Sequence, residues 1–495
     1  MKDVKKFFKA LFFAMSFLFF SSFAFATAIS NWSVLNANYL SGADFVFNIS
    51  ADITFTAALS NNPSWAQLTI QSDNGSLKTL DGNQKRGFVF AGKKVNMTNL
   101  IFTNFITSTY YDVGVCGGAL RIISNSIISF DDSSAKFIRN GISNRDSVGY
   151  GGAISIEDSQ MNFNNSIVSF IDNSSNNIDD GYGGAIDSYY GGISFNNSIV
   201  DFINNNALGG CNSLGGAIYS DGKSAISFSN SIVNFIDNAA SDGSREGNGG
   251  AIFIEREGNI SFNNSTVSFT DNYASGYSYA YGGAISADKS AVSFSNSIVS
   301  FIDNSAGGGY GYGGAISAKT NSAISFSSSI VSFIGNETYD YGGAIYARES
   351  SIISFDNSTI TFSDNFVYYG YGQAIYIDDS ASRVYFNNST IIFAPSGNYN
   401  NPYDISMIYA NNVSAKTVYF NRGSLVFSSY TTTIKLINSA AAIDFNPDTV
   451  GFEYSSGAII TDFFFSPFSY MTMIDISSNI KFNISAISNS SNANG

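Results

Sequence analysis

The tetrapeptide Gly-Gly-Ala-Ile, once with Leu, recurs at Gly117, Gly151, Gly183, Gly215, Gly249, Gly282, Gly313 and Gly342, with a degenerate copy at Gly372-Gln373-Ala374-Ile375. The intervals are 34, 32, 32, 34, 33, 31, 29 and 30 residues. Self-similarity at this period marks a stacked array, in which each unit buries its apolar face only against its neighbours. Within the unit from Gly282 to Asn304, three short stretches rich in β-branched and aromatic residues are separated by Ser, Asn, Asp or Gly, which reads as three strands. A propeller blade needs four antiparallel strands over roughly 40–50 residues. Three strands fit one coil of a helix whose equivalent strands pair in parallel. No proline occurs between Ser64 and Ala394. That fits strands that use their N–H groups in ladders on both sides. The expected fold is all-β, a right-handed parallel β-helix (β-solenoid) with about 30–34 residues and three short strands per coil. Its handedness follows from the general rule for parallel crossovers rather than from the pattern.

A second element, Phe-x-x-Asn, recurs from Phe137–Asn140 through Phe170–Asn173, Phe202–Asn205, Phe235–Asn238, Phe269–Asn272, Phe301–Asn304 and Phe333–Asn336 to Phe362–Asn365. Coils stacked at about 4.8 Å place each Phe on the next and let each Asn amide bond its neighbours above and below. A further Asn recurs at the middle corner, at Asn165, Asn197, Asn230, Asn264, Asn296, Asn357 and Asn388, with Ser328 as the exception. Period two puts Val292 with Phe294, and Val299 with Phe301, on shared faces. It leaves the direction of Ile298 and Ile302 open, because a turn at Asn296 resets the alternation.

Composition narrows the function. The chain has no histidine, 24 basic against 38 acidic residues, and a net charge of −14. Histidine catalysis and His-ligated metal sites are excluded, and a nucleic-acid partner held by a basic face is not expected. The 44% hydrophobic content is too high for a disordered chain. Residues 1–26 read as a signal peptide: Lys2, Lys5, Lys6 and Lys9, an apolar run from Leu11 to Phe20, and Ala24-Phe25-Ala26 before Thr27. Cleavage near Ala26 implies a secreted chain. Cys116 and Cys211 fall three coils apart, about 14 Å at the β spacing. That is beyond disulfide reach, so both are expected to be free or intermolecular thiols.

Gly-Gly-Ala-[Ile/Leu] alternating with Phe-x-x-Asn resembles the repeats of the chlamydial-type polymorphic outer membrane proteins, a group of autotransporter adhesins; the likeness covers about residues 100–375. The resemblance implies a β-helical passenger at a Gram-negative-type outer surface, with the two motifs implicated in attachment to host cells. It implies Gly151, Gly152, Ala153, Phe170, Asn173, Gly282, Gly283, Ala284, Phe301 and Asn304 as adhesion-motif residues. The family also carries a C-terminal β-barrel. The residues after the last repeat do not read as one, so the outer-membrane tether is expected to lie outside this chain.

Other chemistry is weaker. Asp172, Asp237, Asp271, Asp303 and Asp364 precede the motif asparagine, yet Arg139, Asn204 and Gly335 fill the same slot, which reads as a solvated turn rather than a calcium ladder. The pairs Asp131-Asp132, Asp179-Asp180 and Asp378-Asp379 would face opposite sides on strands. No carboxylate group breaks the repeat as a grafted catalytic site should, so no enzyme, cofactor or metal site is expected. Tyrosine precedes the Gly-Gly pair at Tyr150, Tyr182, Tyr281, Tyr312, Tyr341 and Tyr371, which reads first as a stacked ladder. The uneven loops before it carry Tyr277, Tyr279 and Tyr310, beside Tyr312, in a Tyr-Ser-Gly context typical of adaptable binding surfaces.

The organisation expected is a signal peptide at 1–26, N-terminal capping coils at 27–115 with Trp32 and Trp65 as caps, the repeat helix at 116–375, and degenerate coils with a C-terminal cap at 376–495. The leading expectation is an adhesin that binds a host-cell surface protein or glycan through its loop edge. The alternatives are a polysaccharide-active β-helix enzyme and a structural protein that self-associates laterally.

Overall fold

A computed structural model describes residues 26–41, 46–59, 65–108, 115–144, 148–243, 245–379 and 381–394, then the strand segments 406–410, 418–427, 433–436, 444–446, 449–452 and 481–483. Every strand pairing is parallel, and each coil lies on the next in register, as in Ile298↔Ile330 through Ile302↔Ile334. The expected parallel β-helix is the observed fold.

Each repeat coil holds four or five strands rather than three, because the edge segment forms one strand in some coils and two in others. In the coil that begins at Gly282 they are a Gly-Gly strand (Ile285–Asp288), a first Phe strand (Ala291–Ser295), a second Phe strand (Ile298–Ile302) and an edge strand (Ser305–Tyr312). The sequence reading took the edge strand for a loop. Segments such as Ser174–Asn177 and Asn206–Gly209 carry no β-branched residue, so their extended conformation comes from pairing with the coils above and below. The Gly-Tyr stretches are likewise strands, Tyr273–Tyr281 and Ser305–Tyr312.

The corners on either side of the second Phe strand cost one left-handed residue each. The middle-corner residues Asn165, Asn197, Asn230, Asn264, Asn296, Ser328 and Asn357 have φ of 50–51°. The residues before the motif asparagine (Arg139, Asp172, Asn204, Asp237, Asp271, Asp303 and Asp364) have φ of 52–55°. Asn and Asp tolerate this region better than other side chains, which explains their recurrence. The five aspartates are therefore corner residues, as the solvated-turn reading required. The paired glycines solve two separate problems. Gly282 has φ 64°, while a Cβ on Gly283 would come within 2.1 Å of the Gly314 carbonyl oxygen on the next coil.

Inside, two phenylalanine columns run the length of the repeats. The first stacks Phe130, Phe163, Phe195, Phe228, Phe262, Phe294, Phe326, Phe355 and Phe386 at centroid spacings of 4.7–5.2 Å. The second, from Phe102 to Phe393, includes every motif Phe at 4.7–5.4 Å. The columns meet edge to face at 6.2–6.4 Å, an arrangement aromatic rings favour.

The motif asparagines form the expected ladder. Asn238 Nδ2 donates to Asn272 Oδ1 at 3.0 Å and to the Phe202 carbonyl at 2.9 Å, and its backbone N–H donates to the same Asn272 oxygen at 3.1 Å. The pattern holds from Asn140 to Asn336. A serine ladder follows the middle corner. Ser198, for example, donates its N–H to Ser231 Oγ at 3.1 Å and its hydroxyl to the carbonyl of Phe163.

The solenoid begins before the first motif: Lys94–Thr98 pairs with Ile127–Asp131, and Leu100–Thr103 with Ser134–Ile138. An α-helix, Trp32–Ser41, closes this end. Asn31 Oδ1 accepts the Val34 N–H at 3.1 Å as its N-cap. Leu35, Tyr39 and Trp65 are buried, Trp65 Nε1 donates to the Tyr39 carbonyl at 3.3 Å, and Trp32 packs on Phe55 at 4.4 Å. No described helix is long and apolar enough to cross a membrane.

Candidate binding edge

The tyrosines before the Gly-Gly pairs fold back over the outer face of the Gly-Gly strands. Tyr150 stacks on Tyr182 at 5.0 Å, Tyr281 on Tyr312 at 4.9 Å, and Tyr312 on Tyr341 at 5.6 Å. Volume is shared between this column and the strand beneath it. Beside Tyr150, Tyr182, Tyr281 and Tyr312 the strand position is smaller, at Ser155, Asp187, Ser286 and Ser317, whereas beside Tyr341 and Tyr371 it holds Tyr346 and Tyr376. Where Leu214 and Asn248 interrupt the tyrosines, Tyr219 and Phe253 fill the strand position and are 3% and 4% exposed. Burial raises the Tyr150 hydroxyl to about 12 and pushes Tyr312 upward as well. The ladder reading of these tyrosines is the observed one, and Cys116 occupies the ladder's first step, paired in register with Tyr150.

Lys319 reaches back under this layer. Its Nζ lies 4.0 Å from the Tyr281 ring centroid, 3.2 Å from Asn248 Oδ1 and 3.8 Å from Asp288 Oδ2. The Arg348 guanidinium approaches the same ring at 5.1 Å. Burial lowers the Lys319 ammonium pKa, opposed by Asp288. Sequence reasoning missed this box, because Lys319 touches residues two coils away.

Beyond the ladder, the edge strands and the bends that follow them carry a terrace of rings that faces solvent. Tyr277, Tyr310 and Tyr369 are 85%, 54% and 61% exposed, and Tyr273, Tyr279, Tyr339 and Tyr368 about 40%. Tyr279 stacks on Tyr310 at 5.9 Å, and Tyr339 on Tyr368 at 5.3 Å. Gly307 makes the floor: a Cβ there would come within 3.1 Å of Tyr273 Oη and 3.4 Å of the Tyr339 ring. Tyr368 donates to Glu337 at 2.9 Å, a bond that holds its hydroxyl up at about 12. Rings that offer an apolar face and a hydroxyl, on a paired backbone, suit recognition of sugars or peptide surfaces.

The structure divides the fourteen residues singled out by sequence. Tyr277, Tyr279 and Tyr310 lie on this terrace, and Tyr312 lies in the ladder behind it. The ten motif residues are elsewhere. Gly151, Gly152, Ala153, Phe170, Asn173, Gly282, Gly283, Ala284, Phe301 and Asn304 are all buried within the coils. This corrects the expectation that they contact a partner: they build the solenoid that carries the terrace. Sequence reasoning missed Tyr339, Tyr368 and Tyr369, which follow the two-residue edge strands Glu337–Thr338 and Phe366–Val367.

A second cluster departs from the repeat, contrary to the sequence reading. Asp187 replaces serine on the outer face of its Gly-Gly strand and is 3% exposed; Ser155 donates to it at 3.2 Å. Burial raises its carboxyl to about 8. Nearby, Arg256 pairs with Asp221, and the Tyr219 hydroxyl donates to Glu255. Tyr182 covers Tyr219 at 4.7 Å. Asp187 and Asp221 are buried in this network, while the Arg256 side chain that pairs with Asp221 is 61% exposed. The adjacent aspartates also serve the frame: Asp131 and Asp132 accept from Asn164 and Asn165, Asp180 from Tyr182 and Asp378 from Tyr346. Cys116 and Cys211 form no disulfide.

The fold and the periodic ladders define a parallel β-solenoid built from Gly-Gly-Ala-Ile and Phe-x-x-Asn repeats. A family model described as the Chlamydia polymorphic membrane protein repeat matches residues 330–348. That stretch holds one second Phe strand, its Phe333–Asn336 corner and the following Gly342-Gly-Ala-Ile strand, so the chain's repeats are similar to those of that family. The matched copy has the shortest link between the two motifs, residues 337–341. Comparison with the curated proteins and with the solved structures gave no match.

Proposed function

We propose that this chain is a surface-exposed passenger of the autotransporter type, and that it attaches to a host-cell surface protein or glycan through the tyrosine terrace. The similarity of its repeats to the polymorphic membrane protein repeat supports the passenger reading and an outer-surface location. The observation that carries the adhesive reading is the terrace itself: seven partly exposed tyrosines gathered on and just past consecutive edge strands, from Tyr273 to Tyr369. A binding role is preferred over catalysis because Asp187 and Asp221, two carboxylates that leave the repeat, are buried.

The test is saturable binding of the fluorescent full chain to eukaryotic cells, beside a variant with Tyr277, Tyr279, Tyr310 and Tyr369 changed to serine. Binding that the variant weakens by about tenfold or more, with its circular dichroism intact, is the expected result for anchors of this kind. Binding at equal strength would place attachment elsewhere on the molecule. A folded chain that binds no cell would end the adhesive reading.

A further inference from the structure

The second Phe strand has an outer face as regular as its inner one. Its first outward position holds Ile167, Ile199, Ile232, Ile298 and Ile330, which are 41–55% exposed, with Thr266 and Thr359 in the remaining coils. Its last outward position holds Ile171, Ile203, Ile236, Ile302 and Ile334 on the same coils. Between the two isoleucine rows runs a polar row of Ser169, Asp201, Asn234, Ser268, Ser300, Ser332 and Thr361. Across these seven coils the one charged side chain is Asp201, and Asn234 Nδ2 donates to it at 2.8 Å. On a chain of net charge −14 this is a sheet face with ten isoleucines and a single charge.

We propose that this face binds the same face of a second copy of the chain, about a two-fold axis parallel to the solenoid axis. The two rims of the face decide the occupant and its orientation. The leading rim is neutral, lined by Asn165, Asn197, Asn230, Asn264, Asn296, Ser328 and Asn357. The trailing rim is acidic, with Asp172, Asp237, Asp271, Asp303 and Asp364. Repulsion along that rim already shows, since Asp237 and Asp303 help burial to raise the Asp271 carboxyl. Two copies whose solenoid axes run antiparallel bring acidic rim against acidic rim. Two copies whose axes run parallel bring each acidic rim against the partner's asparagine amides, which donate to carboxylates. A second copy also presents ridges at the same coil spacing, so its isoleucine rows fit between those of the first, as an isologous interface requires. An anionic lipid surface would meet the acidic rim and is disfavoured.

Seven coils at about 4.8 Å and five residues at about 3.3 Å give a face on the order of 550 Å² per copy. The total of roughly 1,100 Å² clears the minimum for a specific interface and falls below the standard size, so a weak dimer is expected. This inference does not depend on the tyrosine terrace.

Sedimentation velocity of the full chain between about 1 and 100 µM is expected to show a reversible monomer–dimer equilibrium. Changing Ile167, Ile199, Ile232, Ile298 and Ile330 to threonine, the residue already at Thr266 and Thr359, is expected to raise the dissociation constant at least about tenfold without altering the circular dichroism. Orientation is read by thiol cross-linking with a reagent spanning about 10 Å, the separation of packed sheets. In a Cys116→Ser, Cys211→Ser background, Asn234→Cys, Ser268→Cys and Ser332→Cys are each expected to cross-link to their own copy. Antiparallel axes would let only the coil nearest the two-fold axis do so, which would overturn the orientation. A chain that stays monomeric throughout, or a dimer indifferent to the threonine changes, would overturn the proposal. Isoleucine-dependent binding of that monomer to lipid vesicles would assign the face to a membrane instead.

Discussion

At the scale of single residues, the periodic positions hold the molecule together and the aperiodic ones set its conditions. Asn238 makes and accepts bonds on both sides, so Asn238→Ala removes the partner of the Phe202 carbonyl and of the Asn205 backbone N–H, and leaves Asn272 Oδ1 and Asn205 Nδ2 with one bond each. Two unmet buried groups at about 1–3 kcal/mol each predict a loss of roughly 3–5 kcal/mol, measurable by denaturant unfolding. Asp187 works in the opposite direction. Its folded pKa of about 8 lies above the ordinary carboxyl value, so the proton it holds favours the folded state below pH 4. That contribution fades as pH rises through 8. Asp187→Asn is therefore expected to raise the melting temperature more at pH 9 than at pH 4, and an equal shift at both would contradict the assignment. Burial also lifts the Cys116 thiol to about 12. At pH 8 its thiolate is scarce, and peptide mapping after brief iodoacetamide treatment should find Cys116 largely unmodified.

At the scale of elements, legibility followed periodicity. The Gly-Gly and Phe strands were readable because Val292 and Phe294 alternate with Ala291, Ser293 and Ser295, and because Asn296 marks a left-handed corner in the same place on each coil. The asparagine ladder was readable for the same reason. The edge strands were not. Segments such as Asn206–Gly209 have no intrinsic preference for extension and take it from the coils on either side. The direction of Ile298 was also hidden, because the corner at Asn296 resets the alternation and turns Ile298 outward. At the binding edge, the terrace tyrosines of the long segments were visible as composition. The burial of the motif glycines and phenylalanines was not, since recurrence marks a contact partner and a frame residue alike. Gly283→Ala makes the frame role testable at this scale. Its methyl group would meet the Gly314 carbonyl, and an overpacking cost of about 1–3 kcal/mol is expected with cell binding per folded molecule unchanged.

For the whole molecule, contacts run from coil to coil, so stability is close to a sum of coil terms and neighbour terms. Excising one period, residues 183–214, removes a coil on the N-terminal side of the terrace and rejoins like with like. The shortened chain is expected to fold cooperatively with a slightly lower melting temperature, and to keep its cell binding, because no terrace tyrosine is removed. Collapse of the circular dichroism would mean that the coils are not interchangeable units.

The asparagine ladder has a direction. Each amide gives its proton to the following coil, so the last coil laid down always presents donors that only its successor can occupy. A chain that emerges through a narrow opening one end at a time can therefore close coil by coil, and each closure resists backsliding because reversing it uncovers the donors of the coil beneath. The solenoid is in this sense a ratchet, with teeth about 4.8 Å apart.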